Sequence, residues 1–383
     1  MKEPANAFEL LDILREKNGE DVQHFSNVSN YLGMKAREKG IPVNCQFELT
    51  PLCNFSCKMC YVHLNADQLK GKKILSVNTW KDLMHQAWEA GMINASLTGG
   101  ECLTYPGFDE LFLYLHSLGC EVAVLTNGFL LDDRRIQFFK EHMPRRIQVT
   151  LYGWNDDVYE RVTGQRAFTT VAGNIRKAID AGLPVSINIT PNNFLGEDVF
   201  ETIRVAKSMG HIVTVNSCIF SPREETGRSG QQDNPETDLY IRIYRLLDQI
   251  DGRETIEIER EKLPPEGGKE PQKPHQGLLC GGGRSGFVID WTGMMVPCNR
   301  MEMINAYPLK EGIKEAWQKV NRAANIWPVY SGCVECIYAG ICDNCAGNHR
   351  RFVEPGEKPE GLCERTKRFV CSGVRVLPNP GCD

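Results

Sequence analysis

The feature that most constrains the fold of this 383-residue chain is an alternation of β-rich runs with amphipathic helical stretches. Six predicted strands lie at residues 45–50, 94–98, 121–126, 146–152, 185–190 and 212–219. Helical patterns separate them at residues 77–90, 108–118, 133–141, 171–181 and 199–208. Alternation of this kind predicts βα units and a parallel sheet. The class is therefore α/β, as either an incomplete barrel or a doubly wound sheet.

The remaining chain divides into three predicted segments. Residues 1–44 form an N-terminal extension with a helical pattern near 8–16, and the barrel region is expected to occupy 45–235. Residues 236–277 combine a bridging helix at 236–250 with a linker rich in Glu, Lys, Pro and Gly. Residues 278–383 show little regular periodicity, and we expect metal sites to hold them together.

Composition limits location and partners. The net charge is −5 and no dense Lys/Arg run is present, which argues against nucleic acid as a partner. No apolar run approaches the roughly 18–20 residues of a membrane span, and the polar start lacks the apolar core of a signal peptide. We expect a soluble, cytoplasmic protein. In that compartment the sixteen cysteines indicate metal binding or catalysis more than disulfides.

Cys53, Cys57 and Cys60 form a C-x3-C-x2-C triplet directly after the first predicted strand. In a βα barrel the chemistry lies at the carboxyl ends of the strands. Three thiolates are one ligand short of the four that a cubane iron–sulfur cluster normally takes, so a bound [4Fe–4S] cluster would keep one open iron. The alternatives are a chance group of cysteines or a zinc site, although zinc sites usually supply four ligands.

The C-terminal region carries a second concentration of cysteines. Seven of the sixteen lie between residues 280 and 363. Cys280 and Cys298 flank a predicted hairpin whose turn is at 290–293, and Cys333-x2-Cys336-x5-Cys342-x2-Cys345 is followed by Cys363. This clustering predicts a dedicated metal-binding domain, with two zinc sites as the alternative.

Together, the triplet, the βα repeat and the cysteine-rich tail resemble the radical S-adenosylmethionine (SAM) enzymes of the SPASM subgroup over about residues 45–365. The resemblance implies a partial (β/α)6 barrel followed by a SPASM domain. It also implies that Cys53, Cys57 and Cys60 hold a [4Fe–4S] cluster whose open iron chelates SAM. One electron, supplied by a flavodoxin- or ferredoxin-type reductant, would cleave SAM to a 5′-deoxyadenosyl radical.

The same resemblance implies a set of SAM contacts. Thr98-Gly99-Gly100-Glu101 is similar to the family's GGE motif, in which glycine backbone and the Glu101 carboxylate would hold the methionine amino group. Two arginines in the run 159–166 would pair with the methionine carboxylate through a bidentate fork, or else belong to a solvated helix face. The full implied set is Tyr61, Gly99, Gly100, Glu101, Asn127, Thr150, Arg161 and Arg166.

Two auxiliary [4Fe–4S] clusters are implied for the tail, which gives three clusters in all. The implied ligands of a distal cluster are Cys333, Cys336, Cys342 and Cys363, and those of a nearer cluster are Cys280, Cys298 and Cys345. The last pair of the quartet is separated by two residues, where the family usually has three. Residues 273–277, where some relatives supply a fourth ligand to the nearer cluster, contain no cysteine. That site is therefore open, or filled by another residue or by substrate.

The resemblance implies an enzyme that takes a hydrogen atom from a ribosomally made peptide and forms a thioether or carbon–carbon crosslink. An anaerobic sulfatase maturase is disfavoured, because Asn299 follows Cys298 where those enzymes have an aspartate base. A peptide epimerase would use a cysteine hydrogen donor, for which Cys102 and Cys218 are candidates unless they are buried hydrophobes. A small-molecule dehydrogenase and a non-enzymatic electron carrier are further alternatives, and the GGE element argues against the carrier.

The partner of such an enzyme is a peptide or small protein substrate. Many peptide-modifying relatives have an N-terminal winged-helix domain that binds the leader peptide. The 44 residues before the predicted barrel are too few for one. We therefore expect a separate leader-binding protein or direct recognition of the core peptide.

Overall fold

The computed structural model describes residues 23–65, 67–210, 212–216, 219, 235–252, 277–333, 336, 338, 342, 345–349 and 353–373. Their strands form one eight-stranded sheet in the order β6-β5-β4-β3-β2-β1-β7-β8. Neighbouring strands from β6 through β1 to β7 are parallel, and β8 is antiparallel. The strands are β1 Asn44–Glu48, β2 Asn94–Thr98, β3 Glu121–Thr126, β4 Arg146–Thr150, β5 Val185–Ile189, β6 Val213–Val215, β7 Gly286–Ile289 and β8 Met295–Val296.

Helices connect successive strands, as the alternation predicts. The described helices are α1 Gln23–Lys39, α2 Val77–Glu89, α3 Phe108–Ser117, α4 Asp133–Glu141, α5 Asp156–Thr163, α6 Phe168–Asp180, α7 Asp198–Met209, α8 Thr237–Ile250, α9 Pro308–Asn325, α10 Ala346–His349 and α11 Glu360–Cys371. Within the described residues, none of them has the length and apolar character that a membrane span needs.

Local sequence explains where several helices begin. The side chain of Ser76 accepts a hydrogen bond from the Thr79 N–H at 3.2 Å, and Asp132 does the same for the Arg135 N–H at 2.9 Å. Asn155 caps α5 through the Val158 N–H at 2.8 Å. Each cap satisfies a backbone donor that the first helical turn leaves open.

The core lies between the sheet and these helices. The outward faces of the strands and the inward faces of α2, α3 and α4 bury aromatic side chains completely or almost so, among them Phe47, Trp80, Phe108, Phe112 and Phe139. The rings of Phe47 and Trp80 meet edge to face with centroids 6.0 Å apart. This packing fixes the sheet, and with it the loops at the carboxyl ends of the strands.

The predicted C-terminal hairpin is present, and it belongs to the barrel sheet. In the turn, Asp290 Oδ1 accepts hydrogen bonds from the N–H groups of Thr292 and Met294 at 2.9 and 3.0 Å. β7 pairs with β1 in parallel, with Cys45 opposite Phe287. The sheet therefore continues across the predicted domain boundary at residue 278.

The interpretation that residues 278–383 show little regular periodicity was wrong for residues 308–325 and 360–371, which form helices. Helix α9 buries apolar side chains at helical spacing, namely Ile313, Ala316, Trp317, Val320 and Ala324. The Trp317 indole N–H donates to the Gly40 carbonyl at 2.7 Å, which ties α9 to the end of α1. The predicted helix at 8–16 and most of the predicted linker lie outside the described residues.

Two glycine-to-alanine changes test the fold, and they should change the free energy of unfolding in opposite directions. A Cβ at Gly286 would lie 2.3 Å from the Asn44 carbonyl oxygen, so Gly286→Ala should force β1 and β7 apart and destabilise the fold by about 1–3 kcal/mol. Gly173 lies inside α6, and a Cβ there would meet nothing within 4 Å, so Gly173→Ala should stabilise by about 0.5–1 kcal/mol. Urea unfolding measures both, and equal effects would contradict the pairing of β1 with β7.

Candidate active site

The loop that carries Cys53, Cys57 and Cys60 is held against the end of β2. The Gly100 N–H donates to the Thr50 carbonyl at 2.7 Å, and the Glu101 N–H donates to the Leu52 carbonyl at 2.8 Å. A Cβ at Gly100 would lie 2.3 Å from the Leu52 oxygen, and one at Gly99 would lie 2.5 Å from the Thr50 oxygen. Both positions therefore require glycine, because the two backbones approach each other so closely.

Glu101 holds the end of β3, the strand beside β2. Its carboxylate is 1% exposed and accepts hydrogen bonds from the Leu103 N–H at 3.0 Å, the Thr126 hydroxyl at 2.8 Å and the Asn127 N–H at 2.7 Å. Burial raises the pKa of Glu101, and these donors oppose the rise. We expected the carboxylate to face the methionine amino group. The structure instead directs it to these three donors, and it does not line the cavity beside the cysteines.

A cavity of about 220 Å³ lies at the carboxyl ends of β1 to β6. The three cysteines form part of its wall, and eight of its residues carry amide, hydroxyl or phenol groups on β3 to β6 or just after them. These eight are Thr126, Asn127, Gln148, Thr150, Tyr152, Asn188, Thr190 and Asn216. Of the predicted SAM contacts, Tyr61, Gly99, Gly100, Asn127 and Thr150 line the cavity.

The thiols are surrounded by hydrogen-bond donors. The Phe55 N–H points to Cys53 Sγ at 3.3 Å, the Asn127 amide to the same sulfur at 3.6 Å, and the His63 N–H to Cys60 Sγ at 3.3 Å. Burial raises the pKa of Cys53 to about 12, and the Glu101 charge adds to the rise. Donors around sulfur suit thiolates that are bound to iron.

Burial raises the pKa of Tyr152, and the thiols of Cys57, Cys60 and Cys53 raise it further, so its phenol lies near all three. Within the described ranges, no three Cys, His, Asp or Glu side chains are arranged to hold a single metal ion. The case for a cluster therefore rests on the three thiols, their donors and their position at the strand ends.

An aromatic shell surrounds the cysteine loop, and our sequence reasoning missed it. The Phe55 ring meets Phe129, Tyr152 and Tyr159 edge to face, with centroids 5.7, 6.5 and 6.1 Å away. Such a shell limits water access and lowers the local dielectric, which tunes a bound metal centre. The available signal was Tyr152, which lies two residues after the end of β4 and continues the alternation of Gln148 and Thr150.

Polar residues on β4 to β6 were also missed, apart from Thr150. Gln148 and Thr150 alternate along β4, and Asn188 and Thr190 do the same at the end of β5. The Asn216 amide donates to the Thr190 hydroxyl at 2.8 Å. The period of two along each strand places these side chains on one face of the sheet. That alternation was visible in the sequence.

The structure brings neither predicted arginine to the cavity. Arg161 donates to the Phe194 carbonyl at 2.9 Å and pairs with Asp198. Arg166 is exposed and pairs with Asp157 and Glu160. Of the two alternatives, Arg166 fits the solvated helix face, and Arg161 fastens α5 to the segment before α7.

Cys102 is not placed to donate hydrogen to a substrate. It is 0% exposed, its thiol donates to the Leu125 carbonyl at 3.3 Å, and it does not line the cavity. These contacts are those of the alternative, a buried small hydrophobe, and the role of Cys102 as a donor stays an untested prediction. Cys218, the other candidate, lies outside the described residues.

Two of the tail cysteines have other thiols as near neighbours. Burial and the neighbouring thiols of Cys345 and Cys280 raise the pKa of Cys298 to about 12. Burial also raises the pKa of Cys333 to about 12, together with three other thiols, those of Cys363, Cys342 and Cys336. The nature of the bound group at each set stays a prediction.

A direct hydrogen bond joins the first loop to the tail. The Asn299 amide donates to the Tyr61 hydroxyl at 2.8 Å. Tyr61 follows Cys60 and lines the cavity, and Asn299 follows Cys298. The first cysteine site and the nearer tail site are therefore connected by a hydrogen bond between the residues that follow Cys60 and Cys298 in sequence.

Comparison with known proteins agrees with this architecture. Residues 47–206 match the family model described as the Radical SAM superfamily. The sporulation killing factor maturation protein SkfB of Bacillus subtilis is 27% identical over 177 residues, which are 45% of this chain and 42% of SkfB. The AdoMet-dependent heme synthase of Methanosarcina barkeri is 23% identical over 330 residues, 81% of this chain and 92% of that protein.

Solved structures show the same fold. Streptococcus suis SuiB bound to S-adenosylmethionine superposes with a TM-score of 0.65 at 15% identity, over 93% of this chain and 86% of SuiB. SuiB bound to its precursor peptide SuiA gives a TM-score of 0.63 at 15% identity, over 91% of this chain and 83% of SuiB. Residues 47–206 are therefore similar to a radical SAM domain, within a fold that these solved structures share. The cysteine-rich tail lies outside the matched residues, on their C-terminal side.

The Glu101 contacts predict a loss of stability on a nearly isosteric change. Glu101→Gln replaces one acceptor oxygen by an NH2 donor, so at least one of the buried donors of Leu103, Thr126 and Asn127 would lose its acceptor. Unfolding in urea should show a loss of about 1–3 kcal/mol. Glu110→Gln, at an exposed carboxylate paired with Lys81, should stay within about 0.5 kcal/mol. Equal effects would contradict the anchoring role of Glu101.

Proposed function

We propose that this chain is a radical SAM enzyme that modifies a peptide, by joining one of its carbons to a cysteine sulfur or to another carbon. The observation that carries the proposal is the cavity at the strand ends, where three thiols face a row of amide and hydroxyl groups. Iron-binding thiols on one side and polar groups on the other suit a bound cluster and a polar cofactor.

Cys53, Cys57 and Cys60 would hold a [4Fe–4S] cluster, with SAM beside it in the cavity. When bound, the cluster and SAM supply a 5′-deoxyadenosyl radical that removes a hydrogen atom from an unactivated carbon. The Asn127 amide donates to the Cys53 sulfur, and the aromatic rings around Phe55 exclude water from the thiols. Thr150 and Asn188 lie where polar groups of SAM or the substrate would be oriented.

Two similar proteins support the proposal that the substrate is a peptide. SuiB, which shares the fold, has been solved with a precursor peptide, and SkfB is named as the maturation protein of the sporulation killing factor. Two further cysteine sets in the tail would hold auxiliary clusters at Cys280/Cys298/Cys345 and at Cys333/Cys336/Cys342/Cys363.

A thioether crosslink has a definite electron balance. A C–H bond and an S–H bond break, and a C–S bond forms, so the peptide loses two hydrogens. One leaves as a hydrogen atom and forms 5′-deoxyadenosine. The other leaves as a proton, taken by solvent or a base, and one electron, taken by an iron–sulfur acceptor. Epimerisation needs no such acceptor, because its radical receives a hydrogen atom back.

A small-molecule substrate is the second candidate. It is favoured by the heme synthase alignment, which covers more of this chain than the SkfB alignment does. The two candidate functions are distinguished by their products. Incubation with a precursor peptide encoded near this gene should change the mass of that peptide, whereas a small-molecule enzyme would leave it unchanged.

Iron content and one cysteine variant test the cluster assignments. Anaerobic reconstitution should give roughly eleven to twelve irons per chain from three cubanes. Cys57→Ala should lose about four of them and form no 5′-deoxyadenosine from SAM. Cys120→Ala changes a buried cysteine away from the cavity and should keep both the iron and the cleavage. A wild-type value near four irons would overturn the auxiliary clusters.

Reaction in deuterated water separates crosslinking from epimerisation. A crosslinked peptide should be two mass units lighter, with no solvent deuterium on the new bond. An epimerase with a cysteine donor would return one solvent deuterium to the α-carbon, and mass spectrometry would show a gain of about one unit. That gain would overturn the crosslinking proposal.

A further inference from the structure

Three arginines surround the nearer set of tail cysteines, Cys280, Cys298 and Cys345. They come from separate parts of the chain. Arg37 lies on α1, Arg284 lies just before β7, and Arg300 follows Cys298 by two residues. None of them belongs to a cysteine motif, and the proposed mechanism leaves them without a role.

Each arginine has different neighbours. Arg300 Nη1 donates to Cys345 Sγ at 3.5 Å, and Gly347 leaves room for its side chain, since a Cβ at 347 would lie 2.5 Å from Arg300 Cβ. Arg284 Nη1 donates to the Leu278 carbonyl at 2.8 Å. The Arg37 guanidinium packs beside Gly281, with Nε and Nη2 each 3.8 Å from the position of a Cβ there.

Arg37 and Arg284 are close enough to repel each other. Burial lowers the pKa of Arg284, the charge of Arg37 lowers it further, and Cys280 opposes both. The Nε atoms of the two arginines are buried without an acceptor, and no carboxylate in the described part of the chain forms an ion pair with either. Like charges in a partly buried place require a negative group nearby.

The cysteines are the nearby groups that can carry that negative charge. Thiolates are the iron-binding form of cysteine, so three of them bring three negative charges to the three guanidiniums. Arg37 acts on Cys280, and Arg300 acts on Cys298 both through its charge and through its backbone N–H. The charges of the arginines therefore complement this cysteine set.

The other cysteine sets have different surroundings. At the first site the negative charge of the Glu101 carboxylate acts on Cys53. At the distal set, Cys333 is influenced by burial and by the thiols of Cys363, Cys342 and Cys336. Among the described groups that act on Cys333, no arginine is present.

We infer that Arg37, Arg284 and Arg300 raise the reduction potential of a cluster held by Cys280, Cys298 and Cys345 above that of the other two. The inference rests on the proposed function, which assigns a cluster to these cysteines. Net charge and hydrogen bonds to sulfur set the potential of such clusters, and positive charge stabilises the form with one more electron. The arginines thus make this site the electron acceptor that the crosslink requires.

The test is an anaerobic redox titration followed by electron paramagnetic resonance. The full-length Cys53→Ala, Cys57→Ala, Cys60→Ala triple variant removes the first cluster, and it should retain roughly eight irons. The transition that Cys298→Ala abolishes belongs to the nearer cluster, and the one that Cys333→Ala abolishes belongs to the distal cluster. In this background Arg37→Gln and Arg300→Gln should each shift the nearer transition to a more negative potential and leave the distal one unchanged.

Two matched controls separate charge from structure. Arg37→Lys keeps the positive charge and should restore most of the wild-type potential. Arg204→Gln removes an arginine paired with Glu201 on α7, near the opposite edge of the sheet, and should cause no shift. A nearer transition that stays at the wild-type potential in both Arg37→Gln and Arg300→Gln, with full iron content, would overturn the inference.

Failure of the proposed function would be visible earlier. A triple variant with no iron would show that the auxiliary clusters are absent, before any arginine is changed. If Arg37→Gln loses iron and Arg300→Gln retains it, the reduction potential of the nearer transition in Arg300→Gln decides whether the inference holds. Loss of iron from both variants, with wild-type circular dichroism, would show that the arginines retain the cluster without tuning it, and would overturn the inference.

Discussion

The site depends on the close contact between the cysteine loop and the end of β2. Two backbone hydrogen bonds join Gly100 and Glu101 to Thr50 and Leu52, and only glycine fits at positions 99 and 100. Glu101 extends the same contact to β3 through its buried carboxylate. The ends of three neighbouring strands are thereby fixed relative to one another. Three thiols can then share one centre without relying on a flexible loop.

Most of the barrel was accessible from sequence. β2, β3 and α4 begin and end where their apolar patterns predicted, because each is bounded by residues that stop the element or cap it. The position of the strand-end motifs beside one another could also be predicted, since the carboxyl ends of parallel strands meet at one edge of the sheet. The partition of the tail cysteines into two ligand sets stays a prediction, because their spacing alone gives no reason for it.

What could not be predicted depends on contacts between distant residues. The partner of Arg161 is a pair of carbonyls more than thirty residues away, and nothing near Arg161 in the sequence announces them. Glu101 could equally have pointed into the cavity, and its orientation is decided by donors at Thr126 and Asn127. Helix α9 is a different case. Its apolar spacing was present in the sequence and was overlooked beside the cysteines.

The pairing of β7 with β1 has a consequence for how the protein is made. Residues 44–47 lie opposite residues 286–289, so about 240 residues separate two strands that are neighbours in the sheet. During synthesis β1 remains an uncovered edge until most of the chain has been made, and edges of this kind invite pairing with other chains. The cysteine loop continues directly from β1. Assembly of a centre on the three thiols before β7 is in place would therefore occur on an unfinished sheet, so the order of synthesis favours late completion of this cysteine site.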